Sequence, residues 1–157
     1  AAEGTATLNA SRRHPTVSTL SEDWIGRVGA TDGFRRVAWD RRHAVRVTTL
    51  DALIAAHGVP RFCKIDVEGF EPQVLAGLGR PLPALAFEYV PAALDAAGAC
   101  IDRLAALGPY RFNIVRGEAD RFAWPDWLAP AEARAGLMRA AVDDHAGDIY
   151  ARLPAGM

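Results

Sequence analysis

The 157-residue sequence predicts an α/β domain in which helices cover a mainly parallel sheet. Two observations support this fold class. Short apolar runs alternate with segments of helical periodicity about 10 to 15 residues long, which is the pattern of βαβ units. Acidic residues lie at the ends of two of these runs, and open α/β sheets bind ligands beyond the carboxyl ends of their strands. We therefore predict one domain, residues 1–157, with a functional site at that edge.

Charge and hydropathy exclude several classes of partner. The 18 basic and 19 acidic residues are interspersed, so no basic stripe indicates a nucleic acid partner. No run reaches the roughly 18 apolar residues of a membrane span, and residues 1–20 lack the features of a signal peptide. We expect a cytoplasmic protein with neither a membrane nor a nucleic acid partner, and the sequence predicts no oligomeric state. Cys63 and Cys100 lie in apolar segments and are predicted to be free thiols.

The first third of the chain predicts three short strands. Thr5 to Asn9 alternates in polarity, and the hydroxyl-rich segment Ser11 to Asp23 is predicted to be a loop. Two further strands are predicted at Arg35 to Trp39 and Ala44 to Thr48, separated by a polar turn at Asp40 to His43.

The middle of the chain carries a clearer strand-to-helix pattern. A helix of about two turns is predicted to begin at Thr48-x-x-Asp51 and to end at Gly58-Val59-Pro60. The segment Phe62 to Leu78 is then predicted to be a buried strand, an acidic turn at Glu68-Gly69 and a second helix.

The same order of elements repeats toward the end of the sequence. Ala84 to Tyr89 reads as a strand carrying Glu88 near its end, and Pro91 begins a helical pattern that ends at Gly108. The later predicted elements are a strand at Tyr110 to Val115, a helix at Pro130 to Val142 and a final strand at Gly147 to Leu153. An aromatic loop separates the first of these strands from the helix.

Charged side chains cluster at the predicted functional edge. The two-residue period of a strand places Lys64 and Asp66 on one face, and Glu88 lies at a similar height on the neighbouring strand. The alternative to a functional role for Lys64 is a structural ion pair with Glu88 or Asp66, because a lysine in a strand buried on both faces must be paired. For Asp66 and Glu68 the alternative is electrostatic capping of the next helix. We favour a functional role for Asp66, because ionisable groups at this edge are often catalytic.

Three segments together resemble the FkbM family of S-adenosylmethionine-dependent methyltransferases. Residues 64–69 read K-I-D-V-E-G, with Glu71 following, and residues 74–77 read V-L-A-G at the end of the next helix. Upstream, residues 49–53 read T-L-D-A-L, and downstream residues 86–89 read A-F-E-Y, in the order and spacing of the family pattern.

This resemblance implies a Rossmann-like class I methyltransferase sheet and S-adenosylmethionine as the cofactor. It implies methyl transfer to a hydroxyl group of a small molecule or sugar. Asp66, Glu68 and Lys64 would then be catalytic, with Asp66 also contacting the cofactor, and Glu88 and Glu71 would bind the substrate. Asp66 and Glu68 could instead hold a divalent cation through their oxygens, and the sequence does not decide between a base and a metal ligand.

The sequence departs from the family pattern at its beginning. The family's D-x-G-x-N-x-G-like cofactor loop is absent, and residues 4–8 resemble the segment that follows it. We therefore expect roughly 60 residues to precede Ala1, a sheet incomplete on its N-terminal side, weak or no cofactor binding by this fragment, and no methyltransferase activity of the fragment alone. The rival hypotheses are a metal-dependent nucleotide-sugar glycosyltransferase and a non-catalytic remnant or interaction module.

Overall fold

The computed structural model describes residues 3–140 and 146–154 of the chain. The strands within these residues are β1 (Gly4–Ala10), β2 (Arg41–Val47), β3 (Cys63–Ile65), β4 (Ala84–Tyr89), β5 (Arg111–Arg116) and β6 (Gly147–Arg152). The α-helices are α1 (Glu22–Val28), α2 (Leu50–His57), α3 (Glu71–Ala76), α4 (Leu94–Leu107) and α5 (Pro130–Ala140). Short 3-10 turns span Pro15–Val17 and Pro91–Ala93.

The main sheet has four strands in the order β3-β4-β6-β5. β3 and β4 are parallel, whereas β6 is antiparallel to both of its neighbours. The predicted Rossmann-like α/β fold is confirmed, but a mainly parallel sheet is wrong for these four strands. The reason is that β6 runs between β4 and β5, with Ile149 opposite both Phe87 and Ile114, so β4 and β5, which point in the same direction, are not neighbours.

The main core lies between this sheet and its helices. α4 packs against α3, α5 and β4, and its residues Ile101 and Leu104 are fully buried together with Leu85 and Phe87 of β4. Burying an aliphatic or aromatic side chain of this size contributes about 1.5 to 3 kcal/mol. This packing fixes the height at which β3 and β4 end.

The strands β1 and β2 form a separate two-stranded antiparallel sheet, called the hairpin below although residues 11–40 connect its strands, with Gly4 opposite Val47 and Ala10 opposite Arg41. The predicted strand at residues 5–9 is confirmed, and the one at 44–48 lies largely within β2. The predicted turn at residues 40–43 is wrong, because β2 already begins at Arg41.

The predicted strand at residues 35–39 does not form, because its flanking aromatic residues pack on α1 instead. Phe34 and Trp39 meet Trp24 edge to face, with ring centroids 5.1 and 6.0 Å apart. The helix α1 lies at the end of what the sequence predicts as a loop, and its N-cap Ser21 accepts a hydrogen bond from the Trp24 N–H at 3.1 Å. α1 thus supplies a second, smaller core.

The segment at residues 62–78 has the predicted order of strand, turn and helix, but its strand is not buried on both faces. Ile65 is 3% exposed, whereas Phe62 is 48% exposed and Lys64 faces outward. Within the described residues β3 has β4 as its strand neighbour and is therefore at the edge of the sheet.

The remaining elements agree closely with the sequence. Cys63 and Cys100 are free thiols, and β6 lies within the predicted final strand. The predicted helix from Pro130 is confirmed as far as Ala140, and its last two residues lie outside the described residues. Among the described helices, none combines the length and apolar character that crossing a bilayer requires.

Candidate active site

The turn between β3 and α3, residues 66–70, is the most unusual backbone segment of the described chain. Glu68 has a φ of 52° and Gly69 has a φ of 84°, so two consecutive residues are in the left-handed region. For a residue with a Cβ this conformation is uncommon, and such outliers concentrate at functional sites. The turn directs the Glu68 side chain toward the neighbouring strand end.

Three carboxyl groups meet at this turn. Asp66, Glu68 and Glu88 each place one oxygen so that the three oxygens lie within 4.8 Å of one another. The strand register explains the encounter: Ile65 is opposite Phe87, so the next residues, Asp66 and Glu88, follow at the same edge of the sheet. Asp66 is exposed, and Glu68 and Glu88 are half-buried.

The crowding of carboxyl groups raises the proton affinity of two of them. Burial and the neighbouring charges of Asp66 and Glu71 raise the pKa of Glu68 to about 7. Burial and the charges of Glu68, Asp66 and Glu71 raise the pKa of Glu88 to about 8, which the charge of Lys64 only partly opposes. Both groups can therefore exchange protons near neutral pH.

Lys64 is held beside the cluster by a residue that the sequence does not indicate. Its ammonium donates to the Asp148 carboxylate and lies 3.7 Å from Asp66 Oδ2. Burial alone would lower the pKa of Lys64, but Asp148, Asp66 and Glu88 together raise it. In the part of the chain that the structure describes, the sequence-based alternative of a Lys64–Glu88 ion pair does not form, whereas the Lys64–Asp66 pair does.

Asp148 reaches the site because β6 is antiparallel to β4. The amino end of β6 therefore lies at the carboxyl end of β4, where Asp148 is directly opposite Glu88. The predicted final strand contains this aspartate, but only knowledge of its direction could have placed it here.

Glu71 lies beneath the turn rather than at its surface. It is 5% exposed, and its Oε1 atom accepts hydrogen bonds from the Val67 and Gly69 N–H groups at 3.2 and 3.3 Å. Burial raises the pKa of Glu71, although these backbone hydrogen bonds oppose the shift. This inward placement does not support the substrate contact expected for Glu71 from the sequence.

A cavity of about 570 Å³ opens beside the turn, between the hairpin, α2 and α3. Asp66 lies in its wall, so the carboxylate cluster and the cavity meet at this residue. Most of the other wall residues are apolar: they include Leu8, Leu20, Val45, Leu50, Phe70 and Val74. The volume and the apolar character are those of a small-molecule site.

The arrangement can perform two kinds of chemistry. A carboxylate whose pKa is near neutral can take a proton from a substrate hydroxyl. Three convergent carboxylate oxygens also match the ligand preference of a hard divalent cation such as Mg²⁺. Both uses need the strained turn, because it brings Glu68 to the other two groups.

The fold and the site define a Rossmann-like α/β protein with a polar site at the carboxyl edge of its sheet. The family model described as the methyltransferase FkbM domain matches residues 6–141, so the chain belongs to the FkbM methyltransferase family. The resemblance seen in the sequence is confirmed, and the domain is a methyltransferase domain. Neither a curated protein nor a solved structure gives a significant match.

Proposed function

We propose that this protein transfers a methyl group from S-adenosylmethionine to a hydroxyl group of a small molecule or sugar. The convergence of Asp66, Glu68 and Glu88 beside an apolar cavity is the observation that carries the proposal. Membership of the methyltransferase family favours methyl transfer over nucleotide-sugar glycosyl transfer, which the acidic turn alone would also suit.

The surroundings of Asp66 fit a cofactor with a cationic centre and a flat ring system. The carboxylate attracts positive charge and accepts hydrogen bonds, and the apolar wall beside it includes Phe70 and Leu50. When bound, S-adenosylmethionine supplies an electrophilic methyl group carried on a sulfonium sulfur. We assign Asp66 and this wall to holding the cofactor.

Glu68 is the proposed base. An alcohol oxygen becomes a better nucleophile as it loses its proton, and a base is most effective when its pKa is near the working pH. The pKa of about 7 gives Glu68 that property. Glu88 is assigned to binding the acceptor, and Lys64 limits the accumulation of negative charge as Glu68 and Glu88 ionise.

A cation is the second use of the cluster, favoured by the mutual closeness of the three carboxylate oxygens. A divalent ion there would lower the proton affinity of Glu68 and Glu88 and would position the acceptor oxygen instead. Treatment with a chelator therefore distinguishes a cluster that holds a cation from one that supplies a base. Only a cation site would need added Mg²⁺ or Mn²⁺ for product formation.

The test is to incubate the full-length protein with methyl-labelled S-adenosylmethionine and a panel of sugars, alcohols and amines. We expect release of S-adenosylhomocysteine and a label on an acceptor oxygen. Glu68→Gln should reduce kcat by about 10²- to 10⁴-fold, because glutamine cannot take the proton. The exposed Glu118 provides the matched control Glu118→Gln. An unchanged kcat in Glu68→Gln contradicts the base assignment, and labelling on nitrogen contradicts O-methylation.

A further inference from the structure

We propose that Glu71 is a positioning residue, which together with Thr19 and Trp24 holds the turn at residues 66–70 in the one conformation that brings Glu68 to Asp66 and Glu88. The proposal rests on the function assigned to Glu68 above. It gives Glu71 a role that is distinct from substrate contact.

Glu71 acts from inside the turn. It is the first residue of α3, yet its side chain returns to the turn, where one oxygen accepts the N–H groups of both Val67 and Gly69. Those two N–H groups flank Glu68. Phe70, the N-cap residue of α3, makes no side-chain capping bond, and the Glu71 side chain bonds the backbone of the turn that precedes the helix.

Thr19 acts from the opposite side. Its hydroxyl donates to the Glu68 carbonyl oxygen at 2.6 Å, and the residue is 1% exposed. Thr19 is in turn fixed to the hairpin, because its N–H and carbonyl groups pair with the backbone of Asn9 at 2.9 and 2.8 Å. The Glu68 peptide is therefore held from two directions by elements far apart in the sequence.

Trp24 closes the third side of the turn. A Cβ added to Gly69 would lie 2.1 Å from Trp24 Cδ1, so the indole occupies the space that any other residue would need. Trp24 itself is 2% exposed and packs in the core formed by α1. With glycine at this position and the indole against it, the turn has little room to relax when Glu68 changes its charge.

Two variants, Glu71→Gln and Glu71→Ala, distinguish a positioning role for Glu71 from a purely electrostatic one. Both variants remove the negative charge, so a purely electrostatic role predicts equal effects. Glutamine retains an oxygen that can accept both N–H groups, whereas alanine removes it. Glu71→Gln also removes a negative charge that raises the pKa of Glu68 and Glu88. The glutamine variant should therefore keep the turn in place while moving the pH profile of methyl transfer to lower pH.

The first readout is hydrogen exchange at the Val67 and Gly69 amides, measured by NMR in the wild type, Glu71→Ala and Glu71→Gln. We expect protection in the wild type and Glu71→Gln, and its loss by at least about tenfold in Glu71→Ala. Glu132→Ala, which changes a carboxylate that binds a different helix start, is the matched control. Retained protection in Glu71→Ala overturns the proposal.

The second readout is the kinetics of methyl transfer. Glu71→Ala should lower kcat by about 10- to 100-fold, because a base displaced by about 1 Å loses rate on that scale. Glu71→Gln should recover most of that loss, and equal impairment of the two variants contradicts positioning. If Glu71→Ala fails to fold, Thr19→Val tests the same turn from its other side, because it removes the hydroxyl that donates to the Glu68 carbonyl, and it should also lower kcat. Should the wild type transfer no methyl group, the exchange experiment still decides whether Glu71 holds the turn.

Discussion

Two strand ends at the same edge of the sheet lead into helices in different ways. After β3 the chain passes through left-handed conformations at Glu68 and Gly69. After β4 it passes through Val90, whose φ of −121° and ψ of 143° are ordinary extended values, into a 3-10 turn that begins with Pro91. Both ends carry carboxylates of the cluster, but among the described residues only the first places a non-glycine residue at a positive φ. This difference indicates that strain is confined to the turn that must aim a side chain.

The sharpest test of this difference is Gly69→Ala. The added Cβ would be forced into Trp24 in a left-handed backbone, so we expect a loss of about 3 kcal/mol or more in the free energy of unfolding. Gly117→Ala is the matched control, since Gly117 has a φ of 52° but nothing within 4 Å of its added Cβ, and it should lose only about 1 to 2 kcal/mol. Urea unfolding measures both, and equal losses would show that Trp24 does not constrain the turn.

A smaller effect is expected from Glu88→Gln, through the pH dependence of stability. A carboxyl whose folded pKa is about 8 stabilises the fold in its protonated form, and this stability is lost as pH rises from about 4.5 through 8. The variant should therefore gain about 1 to 3 kcal/mol relative to wild type at pH 8.5 and little at pH 5. Thermal or urea unfolding across this range measures the change, and parallel curves for the two proteins would contradict the raised pKa.

The smallest effect is expected at the unstrained turn. Pro91→Ala replaces a residue whose fixed φ suits the first position of a short helix, and alanine can adopt the same conformation. We expect a loss of about 0.5 to 1 kcal/mol, arising mainly from the freer unfolded chain, with no change in methyl transfer. A large loss of activity would show that the second turn also positions the site.

The features predicted from the sequence are those encoded over short distances. The K-I-D-V-E-G and A-F-E-Y segments, each read as the end of a strand, were sufficient to place Asp66, Glu68 and Glu88 at one edge. The prediction of a strand at residues 35–39 was wrong, because alternating polarity cannot reveal that Phe34 and Trp39 pack on Trp24.

The unpredicted parts of the site all depend on distant contacts. Asp148 joins Lys64 only because β6 enters the sheet in the reverse direction, and Thr19 reaches Glu68 only because the hairpin packs beside the turn. Glu71 was predicted to bind the substrate, but its side chain turns inward to the backbone of Val67 and Gly69. A local sequence pattern contains neither the direction of a strand within its sheet nor the orientation of a side chain at a turn.

The pairing of Lys64 with Asp148 also has a consequence for how the protein is made. The two residues are 84 positions apart, and the strand carrying Asp148 enters between β4 and β5, both of which leave the ribosome before it. Contacts of such long sequence separation form late, since loop closure must precede them. We therefore expect the nascent chain to hold an open sheet in which Lys64 lacks Asp148, and the site to be completed only when the final strand is inserted.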